Sequence, residues 1–436
     1  MNSTSTHPTP APIRVAVIGL GTVGGGLAEI FATHATQLTA RAAGPLTLVG
    51  VAVRDAARQR DLPVDPALLT TDAAALAVRP DVDIVVELMG GLEPARTLVL
   101  AALHAGKAVV TANKAIVARY GAEFVAAAAA GGGQLYYEAA AAGAVPIVKV
   151  VRESLSGNRI DSLLGIVNGT CNFILTQMTN SGAAFADALA EAQALGYAEA
   201  DPTSDVGGED AAYKLCLLAR LAFDADVQID DIACEGIDTV RAEDIARADS
   251  LGYAIKLLAV AQRRETGLEV GVYPTLVPKS HPLAAVHDAF NAVFIDGDSA
   301  GPVMLYGQGA GRRPTASAVV ADVVDAALAL RSGAAARPEP SPHGGPVVLP
   351  SADGLNRYYV ATRVADQPGV LAAIAGAMAA RGVSIESCVQ DGRNHDPVDL
   401  IFVTHTVRDG DLRAALDDII KLPTVRSVAA VMRVLK

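Results

Sequence analysis

The chain has 436 residues, of which 51% are apolar and 19% are charged, so it can form two to four domains with buried cores. It has 35 basic and 47 acidic residues, a net charge of −12, and no basic cluster, which argues against nucleic acid and anionic membranes as partners. No apolar run reaches the length of a membrane-spanning helix, because Gly or polar residues interrupt each one.

Residues 1–12 are uncharged and rich in Ser, Thr and Pro, without the features of a signal peptide, and are predicted to be a disordered leader. From residue 13 to 137, short apolar runs alternate with helical stretches such as Thr22–Ala35 and Glu93–Ala105. This alternation predicts an α/β domain with a doubly wound parallel sheet of the Rossmann type. Its strand candidates are Arg14–Gly19, Leu46–Val53, Ile84–Glu87, Ala108–Thr111 and Gln134–Tyr137.

Two alanine-rich patches belong to this first part of the chain. Ala126–Ala130 is predicted to lie in a helix that ends at Gly131–Gly133. Ala139–Ala142 is predicted to form a turn, because Gly143 and Pro146 follow it.

Residues 138–310 have a different pattern and are predicted to form an inserted α+β catalytic and dimerisation domain. A long helix at 311–330 then returns to the nucleotide domain. The predicted strands are Ser162–Val167, Leu268–Pro274 and Asn291–Gly297, and the predicted helices are Asn172–Thr179, Phe185–Leu195 and Gly208–Ala222.

A Pro- and Gly-rich linker is predicted at 331–352, followed by a separate module at 353–436. The order of its elements is β-α-β-β-α-β, the ferredoxin-like arrangement. The elements are Tyr358–Val364, Gly369–Ala380, Val383–Val389, Leu400–Thr406, Asp411–Lys421 and Val425–Val434.

The four cysteines are far apart in the sequence and contain no CxxC pair. This spacing indicates reduced thiols of a cytoplasmic protein rather than a disulfide framework or a zinc site. They are Cys171, Cys216, Cys234 and Cys388.

The first predicted strand leads directly into a G-x-G-x-x-G turn and then into a helix. The glycines allow a tight turn and a close approach of a pyrophosphate, and the helix N-terminus attracts its charge. The turn is therefore predicted to bind a dinucleotide through Gly19, Gly21, Thr22, Val23 and Gly24.

Arg54 follows the second strand, where a basic residue favours the 2′-phosphate of NADP. Asp55 beside it makes NAD an alternative cofactor, because an acidic residue there binds ribose hydroxyls. Arg54 as a solvated surface charge is the alternative.

Lys114 follows the predicted strand Ala108–Thr111, at the strand end where open α/β sheets bind ligands. A lysine there can hold a carboxylate or cofactor, or transfer a proton, although a surface lysine is also compatible. Lys107 stands just before the same strand.

Residues 196–208, called here the acidic loop, lead into an apolar helix. Asp210 and Lys214 are four residues apart and so share one face of that helix. A lysine buried beside a carboxylate can move the proton that hydride transfer from an alcohol requires, although such a pair is often only a surface ion pair. Glu199 and Asp205 of the loop are suited to bind a substrate ammonium group.

This region resembles homoserine dehydrogenase, which has an acidic residue before D-P-x-x-D and then G-x-D-x-x-x-K. Glu199, Asp201-Pro202, Asp205, Gly208, Asp210 and Lys214 match that pattern. Further matching blocks are Gly19–Gly24, Glu87–Gly91, Thr111–Lys114, Gly165–Thr170 and Gly307–Gly311, which together span residues 13–330.

The resemblance implies the interconversion of L-homoserine and L-aspartate 4-semialdehyde with NADP or NAD. It makes Lys214 the main acid/base group, assisted by Asp210, and places Lys114 at the reacting centre. It assigns the substrate amino group to Glu199, supported by Asp205. Positions that contact the cofactor are matched by Thr22, Val23, Arg54, Lys107 and Gly311.

The resemblance also implies a monovalent-cation loop, with sodium as the expected ion, built from backbone carbonyls. Its positions are occupied by Glu138, Ala141, Gly143 and Val145. The family usually has a hydroxyl or β-branched residue at positions 140 and 141, where this chain has alanine. Carbonyl ligands tolerate that change because a hard cation requires only oxygen. A purely structural turn is the alternative.

The segment Asp366–Leu371 resembles the D-x-P-G-x-L signature of ACT domains, which bind amino acids, often across a dimer interface. The resemblance implies an amino-acid effector, with L-threonine expected, and a homodimer or homotetramer. A module that only dimerises is the alternative.

Two other functions remain compatible with the sequence. An amino-acid sensor that has lost its chemistry would be expected to lack the acid/base residues, yet Lys114, Asp210 and Lys214 are all present. A different amino-acid dehydrogenase on the same scaffold is opposed by the block from Glu199 to Lys214.

Overall fold

The computed structural model describes residues 10–334, 344–391 and 397–436. Most of the predicted leader (1–12) and the middle of the predicted linker (331–352) lie outside the described residues. The chain forms two compact units, Met1–Ser156 with Gly307–Ser341, and Gly157–Tyr306 with Pro342–Lys436.

A six-stranded parallel sheet is the centre of the first unit, with the order β3-β2-β1-β4-β5-β6. Its inner strands are mostly apolar because helices cover both faces of such a sheet. The Rossmann-type fold is confirmed. The strands are β1 (Ile13–Ile18), β2 (Leu46–Ala52), β3 (Leu69–Thr70), β4 (Ile84–Glu87), β5 (Ala108–Thr111) and β6 (Gln134–Tyr136).

The helices that follow these strands are α1 (Thr22–Thr33), α2 (Ala35–Arg41), α3 (Ala73–Val78), α4 (Ala95–His104), α5 (Lys114–Gly131), α6 (Ala139–Ala142) and α7 (Ile147–Lys149). Helix α5 contains the first alanine patch and ends at Gly132, which has a left-handed conformation, as predicted. The predicted turn at Ala139–Ala142 is wrong: these residues form the short helix α6, and the chain turns only at Gly143. Alanine has the highest helix propensity, and Gly143 takes the positive φ of 61° that ends the helix.

The second unit begins with an antiparallel sheet covered by helices. The sequence analysis did not predict the helix Ala242–Ser250, the strand Tyr253–Arg264 or the edge strand Gly301–Gln308. The elements are β7 (Ile160–Ile166), α8 (Gly169–Ser181), α9 (Phe185–Ala194), α10 (Thr203–Val206), α11 (Glu209–Phe223), β8 (Ala233–Cys234), α12 (Ala242–Ser250), β9 (Tyr253–Arg264), β10 (Gly267–Pro278), β11 (Phe290–Gly297) and β12 (Gly301–Gln308).

Helix α13 (Arg312–Ser332) belongs to the first unit, as the sequence predicted. Its apolar residues join the core around β1, β4 and β5. Helix α13 also packs along α1.

The C-terminal module has the predicted ferredoxin-like order, with one additional short strand. Its core contains Tyr358, Ile374, Phe402 and Ile419. The elements are β13 (Leu355–Val364), α14 (Val370–Ala380), β14 (Ile385–Asp391), β15 (Val398–Thr404), β16 (Val407–Arg408), α15 (Asp409–Ile419) and β17 (Val425–Val434).

This module shares one sheet with the rest of the second unit. The order is β12-β11-β7-β9-β10-β17-β13-β15-β14, so β17 lies between β10 and β13. Strands β10 and β17 are parallel and pair only at Thr275–Arg433 and Leu276–Val434. The Leu435 N–H extends this strand pairing by donating to Leu276 O at 2.9 Å.

All four cysteines are free. Within the described residues no helix has the length and apolar character needed to cross a membrane. That part of the chain also contains no cluster of three or more His, Cys, Asp or Glu side chains suited to a metal ion.

Candidate active site

The candidate site residues form two groups, one in each unit. The glycine turn of the first group joins β1 to α1. Gly19 has φ of 105°, and a Cβ there would lie 2.6 Å from Leu88 O. A Cβ at Gly24 would lie 2.2 Å from Gly19 O, whereas one at Gly21 would meet no atom within 4 Å. Two glycines therefore close the turn, and the third leaves open space above it.

The first turn of α1 is accessible from this open space. Gly21 and Thr22 are exposed, and Val23 is half-buried. Because the first N–H groups of a helix have no partner within it, they can bind a pyrophosphate here.

Gly311 is brought to the same helix by the packing of α13. It precedes α13 with φ of 130°. A Cβ on Gly26 of α1 would lie 2.4 Å from Arg312 O, and Arg312 Nη2 pairs with Glu29 at 2.6 Å. The structure therefore places the start of α13 against α1.

Arg54 lies in the exposed loop after β2, at the same edge of the sheet as the glycine turn. Residues 56–62 of this loop, among them Arg58 and Arg60, line a cavity of about 570 Å³ together with Leu20, and Arg54 precedes this lining segment. Asp55 Oδ1 accepts hydrogen bonds from the N–H groups of Ala57 (2.9 Å) and Arg58 (3.2 Å). The Asp55 carboxylate, which was predicted to favour NAD, therefore accepts hydrogen bonds within its own turn.

Lys114 opens α5 and is half-buried, after a polar network at the carboxyl ends of β4 and β5. Glu87 Oε2 accepts from Thr111 Oγ1 at 2.6 Å, and Glu87 Oε1 accepts from the Met89 N–H at 2.7 Å. Asn113 Nδ2 donates to Gly91 O at 2.7 Å. Glu87 is fully buried, and burial raises its pKa.

Glu87 received no role from the sequence, although its block had been recognised. The sequence did not reveal that Glu87 is buried. A Glu at the end of an apolar strand cannot be distinguished by sequence from a Glu on the surface. Strands β1 and β4 are neighbours from which the sheet extends in opposite directions, and ligands bind at such a point.

Lys107 lies at the amino end of β5, and its Nζ donates to Val82 O at 2.6 Å. The glycine turn and Lys114 follow the carboxyl ends of parallel strands, so Lys107 is at the opposite edge of the sheet. This position argues against the predicted cofactor contact of Lys107.

The second group is centred on Lys214 of α11. Lys214 Nζ donates to Asp210 Oδ2 and to Val167 O, both at 2.7 Å. The Lys214 and Asp210 side chains are only 13% and 9% exposed. The predicted pair therefore exists and is largely buried, and two of the three N–H bonds of the ammonium group are accounted for.

Asn168 joins the two carboxylates of this group and had no role in the sequence analysis. Its Nδ2 donates to Asp205 Oδ1 at 2.8 Å and to Asp210 Oδ2 at 2.9 Å. Its Oδ1 accepts from the Cys171 N–H at 2.8 Å, which caps α8. Asn168 is 37 residues before Asp205, so only the fold reveals the contact.

Glu199 is separate from this network. Its side chain is exposed on the acidic loop, while its backbone carbonyl accepts from Gln193 Nε2 at 3.1 Å. The structure thus brings Asp205, Asp210 and Lys214 together and leaves Glu199 on the surface of its unit.

The predicted cation loop is a compact turn in the first unit. A Cβ at Gly143 would lie 2.1 Å from Gly309 O, and the Ala144 N–H donates to Gln308 O. Glu138 is buried, and its N–H donates to buried Asp322 Oδ2 at 2.8 Å. Burial raises the pKa of both acids. A monovalent cation beside these two buried acids would offset the cost of burying their charge, which is compatible with the predicted cation loop.

Comparison with known families places three matches along the chain. Residues 19–138 match the family described as "Homoserine dehydrogenase, NAD binding domain", and residues 146–324 match "Homoserine dehydrogenase". Residues 358–424 match "ACT domain".

Whole-chain relatives agree with these matches. The homoserine dehydrogenase of Synechocystis sp. is 46% identical over 97% of this chain and 99% of its own length. That of Corynebacterium glutamicum is 45% identical over 98% of both chains. The crystal structure of a homoserine dehydrogenase from Thiobacillus denitrificans is 44% identical, with a TM-score of 0.91 over 98% of this chain and 99% of that one.

Proposed function

Because the chain belongs to the homoserine dehydrogenase family, with a nucleotide-binding domain, a catalytic domain and an ACT domain, we propose that it interconverts L-homoserine and L-aspartate 4-semialdehyde. The observation that carries the proposal is the buried ammonium group of Lys214, held by Asp210 and Val167 O with one N–H bond left for a substrate oxygen.

Lys214 is the acid/base group of the proposed reaction. When the aldehyde is reduced, C4 gains a hydride and its oxygen takes a proton from Lys214 Nζ, which gives the alcohol of homoserine. In the oxidation, Nζ begins as the neutral amine and accepts the hydroxyl proton as the hydride leaves C4. Bound NADPH or NADP supplies or accepts the hydride. Asp210 orients Nζ and stabilises its positive charge.

The substrate ammonium group is assigned to Asp205 and Glu199. Asp205 is held in place by Asn168, whereas Glu199 is exposed and free of the rigid network. Asp205 therefore provides the preorganised charge, and Glu199 adds a second carboxylate from the loop surface. Lys114 completes the reacting centre as a substrate ligand or proton carrier.

NADP is the proposed cofactor, with NAD as the alternative. Three arginines at positions 54, 58 and 60 lie in one loop at the ribose end of the sheet, which favours a 2′-phosphate. A hyperthermophilic archaeal homoserine dehydrogenase, 27% identical over 73% of this chain, was solved in complex with NADPH. The glycine turn and Gly311 complete the proposed cofactor site.

A monovalent cation, with sodium expected, is assigned to the carbonyl groups of Glu138, Ala141, Gly143 and Val145. Its charge would stabilise the buried carboxylates of Glu138 and Asp322 in their ionised form. The ACT domain supports regulation by an amino acid, with L-threonine expected as the end product, and assembly into a homodimer or homotetramer. A place in threonine, methionine and isoleucine biosynthesis in the cytoplasm follows from this proposal.

NADPH formation from L-homoserine by the purified protein tests the function. We expect turnover in the wild-type protein and a loss of at least ~100-fold in kcat for Lys214→Ala, since general acid/base catalysis contributes ~10²–10⁴-fold. Lys279→Ala, which removes an exposed lysine of the same unit, is the matched control and should keep full activity. No turnover in either direction, with NADP or NAD and with sodium or potassium present, would favour the amino-acid sensor.

A further inference from the structure

Asn291, at the start of β11, carries a fully buried amide close to Lys214. The antiparallel pairing of β11 with β7 sets Ala292 opposite Ile166, so Asn291 lies beside Val167, the residue that follows β7. Asn291 Nδ2 donates to Val167 O at 3.0 Å. Lys214 Nζ donates to the same oxygen at 2.7 Å. Asn291 is therefore two hydrogen bonds away from the proposed acid/base group.

The Val167 carbonyl has two lone pairs, and both accept a hydrogen bond. One donor is the long, flexible side chain of Lys214, and the other is the buried amide of Asn291. Because Asn291 is fixed in a strand, it sets the direction of the carbonyl. Lys214 Nζ is then held between two fixed acceptors, Val167 O and Asp210 Oδ2, which direct its third N–H bond.

The other end of the Asn291 amide has no hydrogen-bond partner. Within the described part of the chain no donor reaches Asn291 Oδ1, although the residue is 0% exposed. A buried amide oxygen without a donor costs free energy, and a leucine of nearly the same shape would fill the position without that cost. If the amide were turned over, Oδ1 would face Val167 O, and two acceptors would meet. Packing alone therefore does not account for an amide here, whereas its bond to Val167 O does.

The loop that leads into Asn291 is held by helix α8. Asn172 Nδ2 lies 3.2, 2.9 and 3.2 Å from three carbonyl oxygens of this loop, those of Val286, Asp288 and Phe290. The Asp288 N–H donates to Thr176 Oγ1 at 3.0 Å. A Cβ at Gly169, the first residue of α8, would lie 2.8 Å from Ala289 O, so the loop also packs closely on the helix. The backbone that carries Asn291 is thus fixed from both sides, by α8 and by β7.

We propose that Asn291 is a positioning residue of the proposed reaction: it fixes the Val167 carbonyl, which holds Lys214 Nζ in place for proton transfer. Its amide is fully buried and acts through Val167 O rather than on the substrate directly. Proton transfer requires a short, aligned contact in the transition state, whereas substrate binding is assigned to Asp205 and Glu199. The role therefore predicts a change in kcat and not in KM. It rests on the acid/base function proposed for Lys214.

Steady-state homoserine oxidation by Asn291→Leu tests the role. We expect kcat to fall about tenfold or more, because a small misplacement of a reacting group is costly, while the KM for homoserine stays within about twofold. The melting temperature should be no lower than that of the wild type, since leucine removes the unpaired oxygen.

Thr176→Val is the matched control. This isosteric change removes the bond from the Asp288 N–H and so weakens the same loop, but Thr176 makes no contact with Lys214 or Val167 O among the described residues. We expect a lower melting temperature with kcat within about twofold of the wild type. A purely structural role of Asn291 would instead make the two variants alike.

Asn291→Ala removes the same bond without adding volume, and serves if the leucine variant does not fold. Its kcat should fall with an unchanged KM, although its melting temperature should also fall because a cavity is left. The proposal is overturned if a folded Asn291 variant keeps its kcat, if KM changes instead, or if Thr176→Val loses as much kcat. Turnover by the wild type and its loss in Lys214→Ala test the proposed function separately, so a fully active Asn291→Leu beside an inactive Lys214→Ala refutes the positioning role alone.

Discussion

Single glycines in the first unit have different physical roles although they share one stretch of sequence. Gly24 and Gly26 have no room for a side chain, because backbone oxygens lie 2.2 and 2.4 Å from an added Cβ. Gly21 has open space on the same side. Close packing thus explains why positions 24 and 26 are glycine. No packing contact explains Gly21, which we attribute to the approach of a ligand.

Gly21→Ala should leave the free energy of unfolding within ~0.5 kcal/mol of the wild-type value and raise the KM for NADPH about tenfold, because the methyl group occupies the space above the turn. Gly26→Ala is the contrasting variant and should lose ~1–3 kcal/mol, since its Cβ overlaps the Arg312 carbonyl. Denaturant unfolding and steady-state kinetics measure both. An unchanged KM in Gly21→Ala would exclude the turn as the pyrophosphate site.

Arg54 belongs to the three-arginine loop and is exposed. Arg54→Ala should raise the KM for NADP at least tenfold while changing that for NAD less than twofold, because only NADP carries the 2′-phosphate. Arg41→Ala, at the end of α2, removes a comparable charge as a control. Equal effects on both cofactors would contradict the 2′-phosphate assignment.

The sequence could predict one part of the second site, the two residues whose spacing places them on the same face of one helix. Asp210 and Lys214 are four residues apart, and their ion pair is confirmed, while their catalytic roles stay predictions. Asn168 and Glu87 could not be found this way, since their importance comes from burial and from contacts across the fold. The cofactor contact of Lys107 stays a prediction, which its position at the amino end of β5 and its bond to Val82 O do not favour.

Between elements, the buried Lys256 of β9 connects the central sheet of the second unit to α8. Its Nζ donates to Asn172 Oδ1 at 3.1 Å and also to Val286 O. Only 3% of the residue is exposed, and burial lowers the pKa of Lys256 to about 8. This lysine therefore makes the stability of the unit sensitive to alkaline pH.

Below pH 8 this lysine is charged in both the folded and unfolded states, and the cost of burying the charge applies in full. Between pH 8 and 10.5 this lysine is protonated in the unfolded chain and neutral in the folded one, so its contribution to the free energy of unfolding should rise, by up to about 3 kcal/mol. Chemical unfolding across this range should lose that rise in Lys256→Met and keep it in Lys279→Met. A difference in stability between the wild type and Lys256→Met that stays constant across this range would contradict the assignment.

Five of the six parallel strands were predicted because each is a short apolar run between helices, whereas the two-residue strand β3 was not. Strand β9 was missed because Tyr253–Arg264 mixes Leu and Ala with basic residues, a composition that suits a helix equally well. Strand β12 was missed because Gly301 and Pro302 indicate a loop, yet it pairs with β11. Pairing with a distant partner decides such segments, and local pattern does not contain it.

At the scale of the molecule, Arg433 ties the C-terminal module to the catalytic domain. Its guanidinium carbon lies 3.2 Å from the ring centroid of Tyr273 in β10, and Nη2 pairs with buried Asp409 at 3.1 Å. Only 6% of Arg433 is exposed. The connection between the module and the catalytic domain, called here the joint, therefore consists of a buried charge cluster around Arg433 as well as the pairing of β10 with β17.

Arg433→Met should lower the free energy of unfolding by ~3 kcal/mol or more, because it leaves Asp409 buried with fewer donors. Arg426→Met, an exposed position of the same strand, should change it by less than ~0.5 kcal/mol. Calorimetric unfolding of the two variants makes the comparison. Equal stabilities would mean that the cluster contributes nothing to the joint.

The shared sheet also constrains the order in which the second unit can fold. Strand β17 pairs with β13 of its own module across 61 to 77 residues, whereas its pairing with β10 joins Thr275 to Arg433 across 158 residues. The second pairing closes the longer loop, so loop-closure entropy opposes it more strongly. Two folding nuclei, one in the catalytic domain and one in the C-terminal module, should therefore form before the joint. The pairing of β10 with β17 is then expected to be the last contact of the shared sheet to form.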